Sequence, residues 1–390
     1  MTPRRVVVTG MGVVAPCGIG QDAFWEGLLR TPSPGERRVA DFDPSRWFGT
    51  KEARRIDRFA QLAVAAADLA IEDAGPVGAD PDRSGVIIGS GVGGLETLEN
   101  QIVICNTKGP DRVSPFLVPM MMANRGAASV SMRFGWRGPC ETPVTACAAG
   151  THAIANAARL VAWGVIDAAL TGGSEAALTP TSIAGFTNMT ALSSTGISRP
   201  FDVDRDGFVM AEGGAVLVLE TLDAARARAA RIYGEVLGSA SSADAHHITA
   251  PDPDGGGAVR CMEAALADAG LSAADIRQIN GHGTSTPLND AAEAQAITKV
   301  FGAPGPPVTS TKGVTGHALG AAGALEAVAV LLSMDRGLIP PTAGLVNLDP
   351  EMTIDVVAGS ARPWEPGPTL SNSFGFGGHN GCLVLAPVTD

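Results

Sequence analysis

The chain has 390 residues, 45% of them hydrophobic, and 49 glycines, enough apolar content for a large core and more length than one simple domain needs. A formal net charge of −12, with no long basic run to neutralise phosphates, excludes nucleic acid as the main partner. No stretch of about 18 apolar residues occurs, so no membrane span is expected, and six cysteines without CxxC spacing exclude a zinc ribbon or a disulfide framework and suit a reducing cytoplasm.

In chain order, strand patterns at 6–9, 85–89, 168–172, 215–219, 232–237, 278–280, 308–310 and 382–386 alternate with helical patterns. The first follows Arg4-Arg5 but is broken by Thr9, Gly10 and Gly12, too early for a signal peptide. Helices are predicted at 56–74, 151–163, 256–269, 290–300 and 321–333. Such alternation predicts an α/β protein, a parallel sheet covered by helices. A seam at 238–244 without a low-complexity linker divides the chain into residues 1–240 and 241–390, two halves expected to share one core.

One phrase occurs twice: Thr145-Ala146-Cys147-Ala148-Ala149-Gly150 and Thr315-Gly316-His317-Ala318-Leu319-Gly320. Both read as strand, tight turn, helix start, where free N–H groups and the helix dipole favour negative charge. A thiol there is biased toward thiolate and an imidazole toward its neutral form. If the halves are duplicates, the turns meet across a pseudo-two-fold axis and give one pocket a nucleophile and a proton donor. The other cysteines read as small core residues, and His152, His246, His247 and His379 as structural or surface histidines. Asp202, Asp204 and Asp206 imitate a calcium loop, but the twelfth position is Gly213, which cannot supply the closing carboxylate.

The phrases Val144 to Gly150, Gly281-His282-Gly283-Thr284-Ser285-Thr286, Ser310-Thr311-Lys312-Gly313-Val314-Thr315-Gly316-His317 and Asn372-Ser373-Phe374-Gly375-Phe376-Gly377-Gly378 stand in the order seen in elongating β-ketoacyl-acyl carrier protein synthases, which the chain resembles from end to end. The resemblance implies a thiolase-like fold, two pseudo-duplicated βαβαβαββ halves in an α-β-α-β-α arrangement, and decarboxylative condensation without cofactor or catalytic metal. It implies Cys147 as nucleophile, His282 and His317 as donors to an enolate, and Lys312 as the charge that positions them. It further implies an oxyanion hole from the N–H groups of Cys147 and Phe376, Thr284 and Thr286 facing a pantetheine arm, and Asp290 and Glu293 as carboxylates near Lys312. Asn280, Glu326, Ser371 and Asn372 would form a structural cation set. Val92 and, from a neighbouring subunit, Leu117 in the apolar run 116–122 would line an acyl tunnel.

The implied partners are acyl- and malonyl-loaded acyl carrier protein, with a dimer formed by a second copy or by a chain-length-factor homologue. Lys51, Arg54, Arg55, Arg58 and Arg112 form the candidate docking patch for an acidic carrier. A degradative thiolase would need a second cysteine in the glycine-rich C-terminal turn, a starter-unit synthase an asparagine where His282 stands, and a chain-length factor would lack Cys147. The pathway, fatty acid elongation or a type II polyketide or polyene, is left open.

Overall fold

The computed structural model describes residues 2–389. Ten strands lie side by side in the main sheet, β1 (Val6–Ala15), β2 (Ser84–Gly89), β3 (Cys140–Glu141), β4 (Ala168–Glu175), β5 (Gly213–Thr221), β6 (Gly234–Ala243), β7 (Gln278–Asn280), β8 (Val308–Thr309), β9 (Thr369–Gly375) and β10 (His379–Ala386), and an eleventh short strand, Gly18–Ile19, pairs with the end of β1. Their spatial order is β3-β2-β4-β5-β1-β6-β10-β9-β7-β8. Numbered within its own half, each set of five runs 3-2-4-5-1 from outer edge to centre. The same order thus occurs twice, joined first strand to first strand through two residue pairs, Val7 with Glu235 and Val8 with Gly234.

Alternate residues of these strands face opposite layers, as the pleat requires. Ala215, Leu217 and Leu219 of β5 join a core with Leu383 and Leu385 of β10, whereas Val216 and Val218 join a second core on the other face. Helices α2 (Ala149–Ala162) and α5 (Ala322–Arg336) fill the shared central layer and touch strands of both halves. Helix α1 (Arg58–Ala74) covers the first half from outside, and α3 (Gly256–Ala269) covers the second beside α4 (Pro287–Phe301). The result is the expected α-β-α-β-α stack. Alanine dominates the central helices because each lies between the two halves of the sheet: α5 is buried from Ala322 through Met334, and small side chains let both halves approach.

The sheet is mixed rather than parallel. In each half the fifth strand runs against its neighbours, β5 against β4 and β1 and β10 against β9 and β6. Parallel pairing needs a crossover of a dozen or so residues, and only Phe376, Gly377 and Gly378 separate β9 from β10. That turn has φ of +83° at Gly377 and +71° at Gly378, which glycine alone adopts without strain. Strand β9 had no apolar signal because its centre is Ser371-Asn372-Ser373, buried and satisfied by side-chain hydrogen bonds. Residues 238–244 fall in the second part of β6 and just past its end. Among the described residues, no helix is long and apolar enough to cross a membrane.

Candidate active site

The two repeated turns meet. Cys147 lies in a single tight turn, Ala146–Ala148, feeding α2, and His317 precedes the matching turn Leu319–Ala321, which feeds α5. The residue before each is left-handed, Ala146 at φ +49° and Gly316 at φ +68°. For alanine this costs about 1 kcal/mol or more, and it swings the next side chain toward the partner turn. Gly150 closes the gap: a Cβ there would lie 2.9 Å from Ala324 N and 3.0 Å from Gly320 O. The outcome is a separation of 3.0 Å between Cys147 Sγ and His317 Nε2, with the His282 ring edge-on to His317 at 5.4 Å between centroids.

Burial outweighs the helix dipole at the thiol. It pushes Cys147 up to about 11, against the opposing pull of the Lys312 charge and of N–H groups of Phe376 and Cys147 that hydrogen-bond the sulfur. The expected bias toward thiolate is therefore not the resting state, and the proton needs an acceptor. Both imidazoles are held well below the usual histidine range by burial first and by Lys312 second, with His317 adding to the effect on His282. Both are neutral, so His317 can accept the thiol proton at Nε2.

Lys312 is buried with its Nζ donating to Glu326, to His282 O at 2.5 Å and toward His282 Nδ1 at 3.2 Å. Its carboxylate partner is Glu326, not Asp290 or Glu293 as expected. Those two hold backbone instead. Glu293 accepts from His282 N and Gly283 N, both at 2.7 Å, and Asp290 accepts from Phe201 N at 2.8 Å and from Ser285 N. Together they fix the loop that carries His282 to α4. Above the triad opens a cavity of about 340 Å³ that reaches Thr284 and Thr286, whose hydroxyls are 2.9 Å apart, and Phe376.

The sequence carries the β-ketoacyl synthase N-terminal domain model over residues 33–225 and its C-terminal domain model over residues 233–346. The chain belongs to the β-ketoacyl synthase family. Among curated relatives, 3-oxoacyl-[acyl-carrier-protein] synthase 2 of Synechocystis is 47% identical, the match covering 98% of each chain. Among solved structures, the ishigamide ketosynthase/chain length factor superposes with a TM-score of 0.94 at 34% identity, covering 99% of this chain and 100% of that one. A type II polyketide acyl-carrier protein in complex with its ketosynthase, bound to the hexaketide, gives 0.91 at 34% identity, again over 99% and 100%.

The other expected positions of this synthase separate into those the pocket gathers and those it does not. Val92, 47% exposed, and the half-buried Leu117 lie outside the lining of the Cys147 cavity. In the cation set, Asn280 Oδ1 and Glu326 Oε2 are buried without hydrogen-bond partners, oxygens suited to a hard cation, and Ser371 Oγ accepts from Asn280 Nδ2 at 3.2 Å. Asn372 is turned instead to Glu293, at 3.2 Å. Lys51, Arg54, Arg55 and Arg112 are exposed. Arg58 leaves the docking patch, because Glu212 holds its guanidinium at 2.6 and 2.8 Å. His152 is satisfied between Thr145 and Asn380, and Cys140 is exposed rather than core.

Sequence reasoning missed Glu175. Fully buried at the end of β4, it accepts from Gly91 N at 2.6 Å, Gly320 N at 3.1 Å and Ser90 Oγ at 3.2 Å. It ties the Val92 turn to the His317 turn. A single acid closing an apolar strand carries no motif that would have flagged it.

Proposed function

We propose that this chain is a β-ketoacyl-acyl carrier protein synthase, condensing an acyl-enzyme thioester with malonyl-acyl carrier protein to give 3-oxoacyl-carrier and CO₂ in fatty acid elongation. The 3.0 Å pairing of the Cys147 thiol with a neutral His317, beside a second neutral histidine, carries the reading. Cys147 Sγ attacks the acyl thioester as its proton passes to His317 Nε2, which returns it to the departing carrier thiol. Malonyl carrier then enters, its C–CO₂ bond breaks, and the enolate oxygen is held by Nε2–H of His282 and of His317, the latter now in its other neutral tautomer because the acylated Cys147 has no proton to give it. The carbanion attacks the acyl carbonyl, whose oxyanion faces the N–H groups of Cys147 and Phe376, and collapse expels the Cys147 thiolate, which takes a proton from solvent to regain its resting thiol. Thr284 and Thr286 orient the pantetheine arm, and Lys312, Asp290 and Glu293 position the histidines.

The labour divides by half: residues 1–240 supply the nucleophile, and 241–390 the histidines and lysine. The docking patch receives an acidic carrier, the setting is the cytoplasm, and a structural monovalent cation on Asn280, Glu326 and Ser371 balances buried charge without entering the chemistry. A homodimer would complete the acyl tunnel with Leu117. The solved ketosynthases paired with a chain length factor support a second reading, the active subunit of a type II polyketide pair. Mass spectrometry of carrier products should show 3-oxoacyl-carrier with wild type and none with Cys147→Ala, while Cys147→Gln decarboxylates malonyl-carrier without condensing. Product from Cys147→Ala would refute the assignment. A need for co-expression with a homologue lacking the cysteine would select the second reading.

A further inference from the structure

The convergence of Cys147 Sγ with the imidazole nitrogens of His282 and His317, all within 4.8 Å of one another and buried, points to a second property of this pocket: it is a trap for a thiophilic divalent cation of the zinc type, and capture of that ion switches the enzyme off. This inference stands on geometry and not on the proposed reaction. Among the described residues it is the one cluster of three such side chains placed to hold a metal.

Zinc takes one thiolate and two imidazoles at about 2.3 and 2.0–2.1 Å in a tetrahedron, which sets the ligand atoms about 3.5 Å apart. Sγ and Nε2 of His317 already stand at 3.0 Å and no two ligand atoms are more than 4.8 Å apart, so closing the site draws the widest pair together by about 1.3 Å at most. For His282 to ligate through Nε2 its ring proton moves to Nδ1, and Lys312 Nζ gives up its 3.2 Å contact there while keeping Glu326 and His282 O. Neutral imidazoles bind without first losing a proton, and the thiol releases one to solvent as the S–metal bond forms. The fourth position faces the cavity that runs past Phe376 and Thr284, where water or an added thiol completes the shell. One sulfur and two nitrogens select zinc, cobalt and copper over magnesium and calcium, which prefer oxygen. Lys312 opposes the incoming charge, but its pairing with Glu326 offsets that repulsion. A captured ion occupies the lone pair that attacks the thioester and the nitrogens that donate to the enolate, so occupied and active states exclude each other.

The test uses the tag-free full chain with Zn²⁺ or Co²⁺ alone. One Co²⁺ per chain should bind with a thiolate-to-metal charge-transfer band, displaced by Zn²⁺ and removed by EDTA. Zn²⁺ should abolish reaction of Cys147 with iodoacetamide, and Mg²⁺ at the same concentration should leave it unchanged. Cys147→Ala should weaken binding at least a hundredfold, and His282→Ala and His317→Ala tenfold or more each, whereas His379→Ala should bind as wild type. The inference is overturned if Co²⁺ gives no charge-transfer band, or if Cys147→Ala binds zinc as tightly as wild type. It fails equally if zinc leaves alkylation of Cys147 unchanged. Because these readouts need no carrier substrate, a failure here is distinct from a failure of the proposed condensation.

Discussion

Replacing Lys312 by methionine keeps the length and shape of the side chain but removes its charge. Glu326 then stays buried without its counter-ion, and His282 O loses a donor. Breaking one side of a buried ion pair costs about 3–5 kcal/mol. The loss should depend on pH in a defined direction. Burial already raises Glu326 to about 7 with Lys312 opposing, so without Lys312 its folded value lies higher still. A carboxyl raised in the fold contributes stability below its unfolded value and loses it as pH rises through the folded value. Wild type should therefore stop losing this contribution near pH 7, while Lys312→Met continues to lose about 1.4 kcal/mol per unit above it. Urea unfolding at pH 6, 7 and 8 measures the difference, and Lys312→Met/Glu326→Gln should recover most of the loss. The reasoning is refuted if the single and double variants are equally stable, or if the deficit of Lys312→Met does not widen between pH 7 and 8.

Alkylation of Cys147 by iodoacetamide should rise about tenfold per pH unit from neutrality toward the thiol value of about 11; a plateau by pH 7 would mean the thiolate is the resting form. Gly320→Ala should destabilise by about 1–3 kcal/mol in urea melts and lower acylation of Cys147 further than the stability loss explains, because its Cβ would sit 2.2 Å from Gly91 N, where only backbone can yield. In a chain-length series of acyl carrier substrates, Val92→Phe should cut kcat/KM for medium and long chains by more than tenfold and spare short ones, since each excluded methylene is worth about 0.8 kcal/mol; an unchanged profile would remove Val92 from the tunnel.

The meeting of Cys147 with His317 was legible because such residues come with turn geometry. Thr145 to Gly150 and Thr315 to Gly320 announce turn and helix by composition, although the strand expected to run into the His317 turn is a short helix, Lys312–Thr315, and a cysteine or histidine at such a turn has few structural uses. The duplication was legible for the same reason. Strand direction was not, because it depends on the length of a connection whose far strand, β9, is polar and reads as loop. Partners of buried charge were least legible: Lys312 meets Glu326 from the interior of α5 rather than the nearer-seeming Asp290 or Glu293, and Glu175 bridges turns far apart in the chain. The thiol's raised pKa likewise depends on enclosure by both halves, which no local pattern records.

At Gly150, α2 meets α5 and the turn before it through the backbone of Ala324 and Gly320, with only the Ala324 methyl beside the contact. Steric fit of this kind has no adjustable part, so the gap between nucleophile and base is a fixed dimension of the molecule, set where two central helices cross. Val92 and Leu117 sit outside that crossing, yet the Val92 turn is coupled to the His317 turn through Glu175, which accepts from Gly91 N and Gly320 N. Substitutions meant to reshape the pocket without disturbing the Cys147–His317 pairing should therefore leave the helix crossing and the Glu175 tether untouched.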